Sequence, residues 1–475
     1  MVDKGTKSKD KKERSAHPWR DNIEAITMAI IMAVMLKYFI VEAYKIPTGS
    51  MQPTLMGNDE TDIKDRILVD KLSYHFRDPE RFEVTVFKYP LDLSKNFIKR
   101  CVGIGPEELK IQYGDLWNRP DANSEWKILR RPRPVQEEMW KSMHLGESGA
   151  AGWKAIGGAK TWKVDEDEVA ARGSGILRYP PSGSVMDDYS DGYPVRIRDA
   201  IRTKRGLRLN AVSDLRLDGD LEALPGCEQV VIEIMEGNRR YNFTLPGPKA
   251  PADATLHIRA EDTVMNFNSA FKVPLDVSLD HAWKLQAGDN ISFGIQNMDD
   301  LLSLEIDGEI LLTLEVPPAS NQANAILIHV DGEGADFEDL DLQRDVYYLD
   351  TMKNAEFQIP ADHYVMFGDN TQDSSDSREW TLARYQSPPE VGPIIRGNNR
   401  GNNENPHVVH GAPDGAMMWF RDEFGEMHTW RERDARIQMP EDAQFVPREL
   451  ITGRAVVVFW PLKPSFRTWR LQWIR

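Results

Sequence analysis

The chain has 475 residues, enough for two or three domains each with its own core. A formal net charge of −16 argues against a nucleic-acid binder, because neutralising phosphates needs a basic face. Two cysteines far apart, Cys101 and Cys227, give neither a disulfide framework nor a cysteine metal-ligand spacing, and no HExxH pattern occurs. No metal and no cofactor are therefore expected.

In chain order, residues 1–20 carry Lys4, Lys7, Lys9, Lys11, Lys12, Arg14 and Arg20, a basic tail that the positive-inside rule keeps cytoplasmic. Ile23 to Val41 is almost wholly apolar apart from Glu24, Thr27 and Lys37, near the roughly 20 residues a spanning helix needs. A cleavable signal peptide fits poorly, since the segment is long and no small-x-small site precedes a clear mature start. A buried core helix is the second reading. The third, a retained single-pass anchor over 21–43, fits best, with Lys37 snorkelling to the interface and everything after Val41 outside.

From 44 to 116, short β-branched runs such as Ile67-Leu68-Val69, Thr85-Val86-Phe87 and Ile98 to Ile104 alternate with turn residues and predict a β-rich module. Residues 117–209 are rich in Gly, Pro and Trp without periodicity, and are expected to be an irregular insertion. Alternating strands return over 210–345, where Asp307-Gly308 between Leu304-Glu305-Ile306 and Ile310-Leu311-Leu312 suits a type I′ hairpin. That stretch predicts an inserted antiparallel β-sandwich. Strand character resumes over 346–385, a long Asn-, Gly- and Pro-dense loop is expected over 386–445, and a closing strand with a basic, Trp-bearing tail fills 446–475. The predicted fold class is mainly β: an N-terminal transmembrane helix, then a β-rich core interrupted by a sandwich.

Three stretches carry chemistry. Just outside the apolar segment the chain reads Ile46-Pro47-Thr48-Gly49-Ser50-Met51-Gln52-Pro53-Thr54-Leu55. Two prolines fix φ on either side, and Gly49 permits a tight approach before Ser50, a stage for a nucleophile whose own N–H faces an oxyanion. Taken alone, it reads first as a juxtamembrane turn. Asn96-Phe97-Ile98-Lys99-Arg100-Cys101-Val102-Gly103 puts Lys99 in an apolar strand, where a lone lysine is usually a solvated edge charge. Phe367-Gly368-Asp369-Asn370-Thr371-Gln372-Asp373-Ser374-Ser375-Asp376-Ser377-Arg378 reads by itself as a polar turn.

Together, and with Asp65-Arg66-Ile67-Leu68-Val69-Asp70-Lys71, Val86-Phe87-Lys88-Tyr89-Pro90 and Ile451-Thr452-Gly453-Arg454-Ala455 in the same order, these stretches resemble the bacterial type I signal peptidases. The resemblance covers roughly 20–116, 346–380 and 446–465. It implies a membrane-bound serine endopeptidase that removes signal peptides from exported preproteins, anchored in the cytoplasmic membrane with its catalytic domain on the outer side. Ser50 would be the nucleophile and Lys99 the general base, with Ser374 orienting the lysine amine. The oxyanion would rest on the Ser50 N–H and the Thr48 hydroxyl, and Asp376 with Arg378 would form a structural ion pair. Implied partners are preproteins and membrane lipid, and the implied cut follows small residues at the first and third positions before it. Topology agrees: Ser50 lies seven residues beyond Ala43, a reach of at most about 25 Å from the end of the span. Departures are the large insertion, Thr381 after Trp380 where many members have Gly, and Thr48 in place of Ser.

The main alternative is a membrane-tethered extracytoplasmic binding protein with a lectin-like sandwich, which Ser50 and Lys99 lying far apart would favour. The S-x-x-K spacing at Ser8 to Lys11 falls in the basic tail, and neither a G-x-S-x-G elbow nor a Walker A sequence is present. His363, the one histidine near a matched segment, reads as packing. The sandwich stretch, about 210–345, supplies no matched residue and is expected to be an independent recognition or positioning module.

Overall fold

The computed structural model describes residues 18–58, 63–143, 152–157, 161–165, 168–188, 190–193, 198, 209–263, 275–319, 323–350, 355–386, 392–400, 404–411, 413, 415–460, 462–463, 468–469 and 471–475. The basic tail up to residue 17 lies outside them. The described chain is mainly β. Its first element, α1 (Pro18–Met35), carries Arg20, Asp21 and Glu24 in its first two turns and gives way at Leu36–Ile40 to a π-helical turn. No helix among the described residues is long and apolar enough to cross a membrane. Part of the apolar run lies in the π turn, and Val41 already begins a strand. The large apolar side chains of this helix, from Ile23 through Ile26, Ile30, Ile31 and Val34 to Leu36, are nevertheless all exposed.

Eight strands form the sheet that organises the site: β1 (Val41–Lys45), β2 (Arg66–Asp70), β3 (Val84–Tyr89), β4 (Asp92–Ile104), β5 (His363–Phe367), β6 (Val446–Pro447), β7 (Ile451–Trp460) and β8 (Gln472–Trp473). They run in the order β1-β2-β7-β3-β4-β5-β6, with β8 paired to β7, and every pairing is antiparallel. Lys99 to Gly103 of β4 are all buried, so here both faces of the sheet are covered. Ile46, Met51, Leu55, Val69, Val84 and Val86 share one apolar cluster, while Cys101, Met366, Phe87 and Trp380 share another. A strand covered on both faces has no hydrophobic alternation, which is why this stretch reads as a continuous run.

The insertion is built from two antiparallel sheets. One runs through Trp162–Val164, Val169–Ala171, Ala335–Arg344, Leu215–Ala223, Asn290–Met298, Leu301–Ile306 and Glu309–Glu315, with Lys141–Ser142 pairing Ala335–Arg344. The other runs through Lys154–Ile156, Gly175–Tyr179, Asn324–Gly332, Cys227–Glu236, Arg239–Pro246, Leu256–Asp262 and Asp276–His281. Leu217, Phe293, Ile295 and Phe337 from the first meet Ile232, Phe243, Ile258 and Ile328 from the second in one core. Asp307 and Gly308 have φ of 50° and 82°, as a type I′ turn requires.

Two expectations need correction. Residues 117–209 are not simply irregular: Lys141–Ser142, Lys154–Ile156, Trp162–Val164, Val169–Ala171 and Gly175–Tyr179 enter the sandwich sheets. Strands this short hold too few alternations to display a period of two. Residues 386–445 are likewise not one loop. With Thr381–Gln386, the strands Ile394–Asn398 and Arg436–Asp442 form one three-stranded sheet, and His407–Val409, Met417–Arg421 and Met427–Arg431 form another. Tyr385, Met418 and Phe420 bury the small core beneath them.

Candidate active site

The turn after β1 is pinned from below. Ile46, Met51 and Leu55 are buried in the sheet's apolar cluster, while Gln52 N–H donates to the Gly49 carbonyl (3.1 Å) and Leu55 N–H to that of Met51 (2.8 Å). Behind it, a Cβ on Gly57 would fall 2.6 Å from the Thr48 oxygen and 2.7 Å from its nitrogen, so only glycine fits there. Ser50 is partly exposed at the tip and Thr48 is exposed.

Lys99 sits on β4 opposite Thr85, only 3% exposed. Its Nζ lies 2.6 Å from Ser50 Oγ and 5.7 Å from the Phe97 ring centroid. Burial lowers its pKa from 10.5 to about 8, against the opposing fields of Asp376 and Asp369. An amine held near 8 is neutral in a useful fraction of molecules at neutral pH, which an exposed lysine is not. The Ser50 N–H and the Thr48 hydroxyl, the two expected oxyanion donors, have no hydrogen-bond partner among the described residues.

The loop after β5 closes the site. Gly368 is irreplaceable sterically, since a Cβ there would lie 2.2 Å from Ser374 Oγ and 2.4 Å from the Ser50 carbonyl oxygen. Asn370 donates from its backbone to the Ser50 carbonyl (3.2 Å) and from Nδ2 to that of Gly49 (3.2 Å). Asp376 and Arg378 are fully buried and paired bidentately along one guanidinium edge, Nε to Oδ1 at 2.8 Å and Nη2 to Oδ2 at 2.7 Å. Burial alone would push the Asp376 carboxyl up, but Arg378 and the Gly368 N–H hold it below the usual carboxylate range. The expected partner of Lys99, Ser374, donates instead to Asp376 Oδ2 (2.8 Å), and among the described residues it makes no hydrogen bond to Lys99. Ser374 shares the pocket but turns toward the ion pair. His363 Nδ1 donates to the Ala361 carbonyl (2.8 Å) at the far end of β5, away from Ser50.

A hydroxyl against a buried amine, beside two unengaged donors, is equipped for acyl transfer. Residues 19–135 and 319–401 match the family model of signal peptidase, peptidase S26. These two segments are similar to a peptidase S26 core. The chain is 36% identical over 116 residues to a probable signal peptidase I-2 of Synechocystis, covering 23% of this chain and 50% of that protein. To a signal peptidase I of Leptolyngbya laminosa it is 33% identical over 133 residues, covering 26% and 56%. The chain thus spans about half the length of the curated relatives it matches. Among solved structures, β-agarase A of Zobellia galactanivorans aligns over 44% of this chain and 93% of its own at 9% identity, but its TM-score of 0.30 carries no argument.

Within these S26-like segments the structure adds groups that no sequence motif announced. Arg100, next to Lys99 but on the opposite face of β4, pairs with Asp369 through Nε (2.9 Å) and Nη2 (2.8 Å), and Thr54 donates to the same carboxylate (2.6 Å). Arg100 Nη1 also reaches the Phe82 carbonyl (2.6 Å) and that of the terminal Arg475 (3.0 Å). The available signal was an arginine and an aspartate inside otherwise apolar strand ends, groups almost never fully buried unless paired.

The part of the insertion ahead of the sandwich stretch 210–345 also reaches the S26-like segments. Buried Lys141 donates to the Asp369 carbonyl (3.2 Å), and burial followed by the nearby Arg344 lowers its pKa to about 7. Gln52, two residues after Ser50 and fully buried, donates to the Asp191 carbonyl (3.0 Å), and Arg344 grips the Asp191 carboxylate (2.6 Å). Gln372 donates to the Asp187 carbonyl (2.6 Å). Tyr193 packs with Met56 and Ile63 beside the nucleophile turn.

Proposed function

We propose that this chain is a membrane-bound serine endopeptidase that removes N-terminal signal peptides from exported preproteins, with Ser50 as nucleophile and Lys99 as general base. The observation that carries the proposal is the Lys99 Nζ, buried and 2.6 Å from Ser50 Oγ. Neutral Nζ takes the proton as Oγ attacks the scissile carbonyl, and returns it to the departing amine. Water, deprotonated by the same amine, then releases the acyl group from Ser50. The developing oxyanion is held by the Ser50 N–H and the Thr48 hydroxyl. Asp376 with Arg378, and Ser374 bonded to Asp376, keep the loop around Lys99 in register.

The S26 match and the signal peptidase relatives support the substrate class. The exposed apolar side of α1 and the basic segment before it support placement at a bacterial cytoplasmic membrane, N-terminus inside and core on the outer side. The alternative of a tethered binding protein is disfavoured by the contact between Ser50 and Lys99, which a pure binding module does not need.

The test is a preprotein whose cut site carries Ala at the first and third positions before it. Cleavage after the small residue, located by mass spectrometry, is the expected result, and Phe or Lys at the first position should stop it. Equal cleavage of the Phe and Ala substrates would refute the assignment.

A further inference from the structure

Away from the catalytic turn, three carboxylates converge where the insertion meets the S26 core. Asp115 opens the strand Asp115–Arg119 of a small sheet that also holds Glu107–Gln112 and Glu356–Ile359. Asp214 precedes the sandwich strand Leu215–Ala223, and Asp299 follows the strand Asn290–Met298. Each offers a carboxylate oxygen, and the three oxygens lie within 4.8 Å of one another.

Such a cluster means little until its neutralisation is accounted for, and here the usual partners are engaged elsewhere. Arg131 pairs with Asp345. Arg130 reaches Glu315 (2.9 Å) and, through Nε and Nη2, the Asp299 backbone carbonyl (3.0 and 2.9 Å) rather than its carboxylate. Among the described residues, no lysine, arginine or histidine forms an ion pair with Asp115, Asp214 or Asp299.

A second observation is independent of this convergence. Asp299 is only 3% exposed, and its Oδ2 is buried with no hydrogen-bond partner. Asp345, 1% exposed and close enough to act electrostatically on all three, likewise leaves Oδ1 unpartnered. Buried carboxylate oxygens without donors are costly. The neighbouring side chain of Asp115 is itself a carboxyl, and the two can share a hydrogen bond only when one of them is protonated. Three converging carboxylates with no cationic partner and a buried oxygen without a donor need either shared protons or a bound cation.

We propose that Asp115, Asp214 and Asp299 bind a hard divalent cation, Ca²⁺ by preference, which ties the insertion to the S26 core. The donors are all oxygen, with no histidine or cysteine among them, which suits Ca²⁺ and not Zn²⁺. Asp115 and Asp214 are partly exposed while Asp299 is buried, so the cluster has an open side for entry and for water ligands. Two of the ligands belong to the insertion and one to the small sheet holding Asp115–Arg119, so occupancy would fix one against the other.

The test uses the full chain in detergent, stripped with a chelator and titrated with Ca²⁺ alone by calorimetry, with thermal unfolding followed in parallel. The expected result is one Ca²⁺ per chain and a Tm raised by about 5 °C at roughly a hundred times the dissociation constant. Asp299→Asn should weaken binding by at least about tenfold. If that variant does not fold, Asp115→Asn on the partly exposed core side gives the same comparison. Absence of both heat and Tm shift up to about 10 mM Ca²⁺, above the weakest extracellular sites, would mean that protons neutralise the cluster. Undiminished binding in Asp299→Asn and Asp115→Asn would place the cation elsewhere. Either result overturns the proposal.

Discussion

Lys99 can accept a proton only when neutral, so in the proposed mechanism its environment sets the pH dependence of the reaction. Its pKa in the fold is lowered to about 8, burial being the main cause. The neutral fraction grows as pH rises through that value. The rate constant kcat/KM should therefore climb with unit slope below about pH 8 and level off above it. A profile flat from pH 6 to 9 would separate Lys99 from proton transfer. Lys99→Arg should be inactive while retaining the circular dichroism of the parent, because a guanidinium does not deprotonate in this range. Thr48→Val removes one hydroxyl from an exposed position with little change of volume. Turnover should fall by roughly 10²–10³ with KM little altered, the usual cost of one oxyanion donor. An unchanged kcat would mean that the oxyanion is held by other groups.

At the scale of elements, the turn carrying Ser50 is held from two sides: by the sheet through Ile46, Met51 and Leu55, and by the insertion through Gln52 and Asp191. Gln52→Leu should leave the Asp191 carbonyl without its buried donor and lower stability by about 1–3 kcal/mol in denaturant unfolding. It should lower kcat more than it raises KM, since the turn is displaced and not the substrate groove. A variant as stable and as active as the parent would show that the contact does not support the turn. Replacing 210–345 by a short linker removes Arg344, which grips Asp191, along with most of the sandwich core, so it should impair peptide cleavage as well as preprotein processing.

These same elements mark what was legible beforehand. Taken singly, the stretches around Ser50, Lys99 and Gly368 read as a turn, an edge charge and a polar loop, and it was their joint order, shared with the signal peptidases, that made them stand out. The sandwich hairpin at Asp307-Gly308 was legible locally, because a type I′ turn needs residues that accept positive φ. The strands Lys154–Ile156 and Gly175–Tyr179, and those between Ile394 and Asp442, were not, because so few residues give no measurable period. Contacts such as Gln52 to Asp191 join positions 139 apart, and no local pattern announces them.

For the whole molecule, one end of the chain presents apolar surface and the other returns to the site. Ile474 is buried and the Arg475 carbonyl accepts from Arg100, whereas Leu471 and Trp473 beside them are 72% and 71% exposed. Exposed Trp near cations favours the membrane interface. The full chain should float with liposomes, and a shortened chain starting at Tyr44 should still bind anionic liposomes weakly at low salt, less so after Trp473→Ala. No association of the shortened chain in flotation would make this tail purely structural. All of this rests on the pairing of Ser50 with Lys99, and the most direct measurement is processing of a preprotein by the full chain in detergent, parent beside Ser50→Ala. The parent should release the mature protein and the folded Ser50→Ala variant should release none, whereas processing by Ser50→Ala at a substantial fraction of the parent rate would contradict the account.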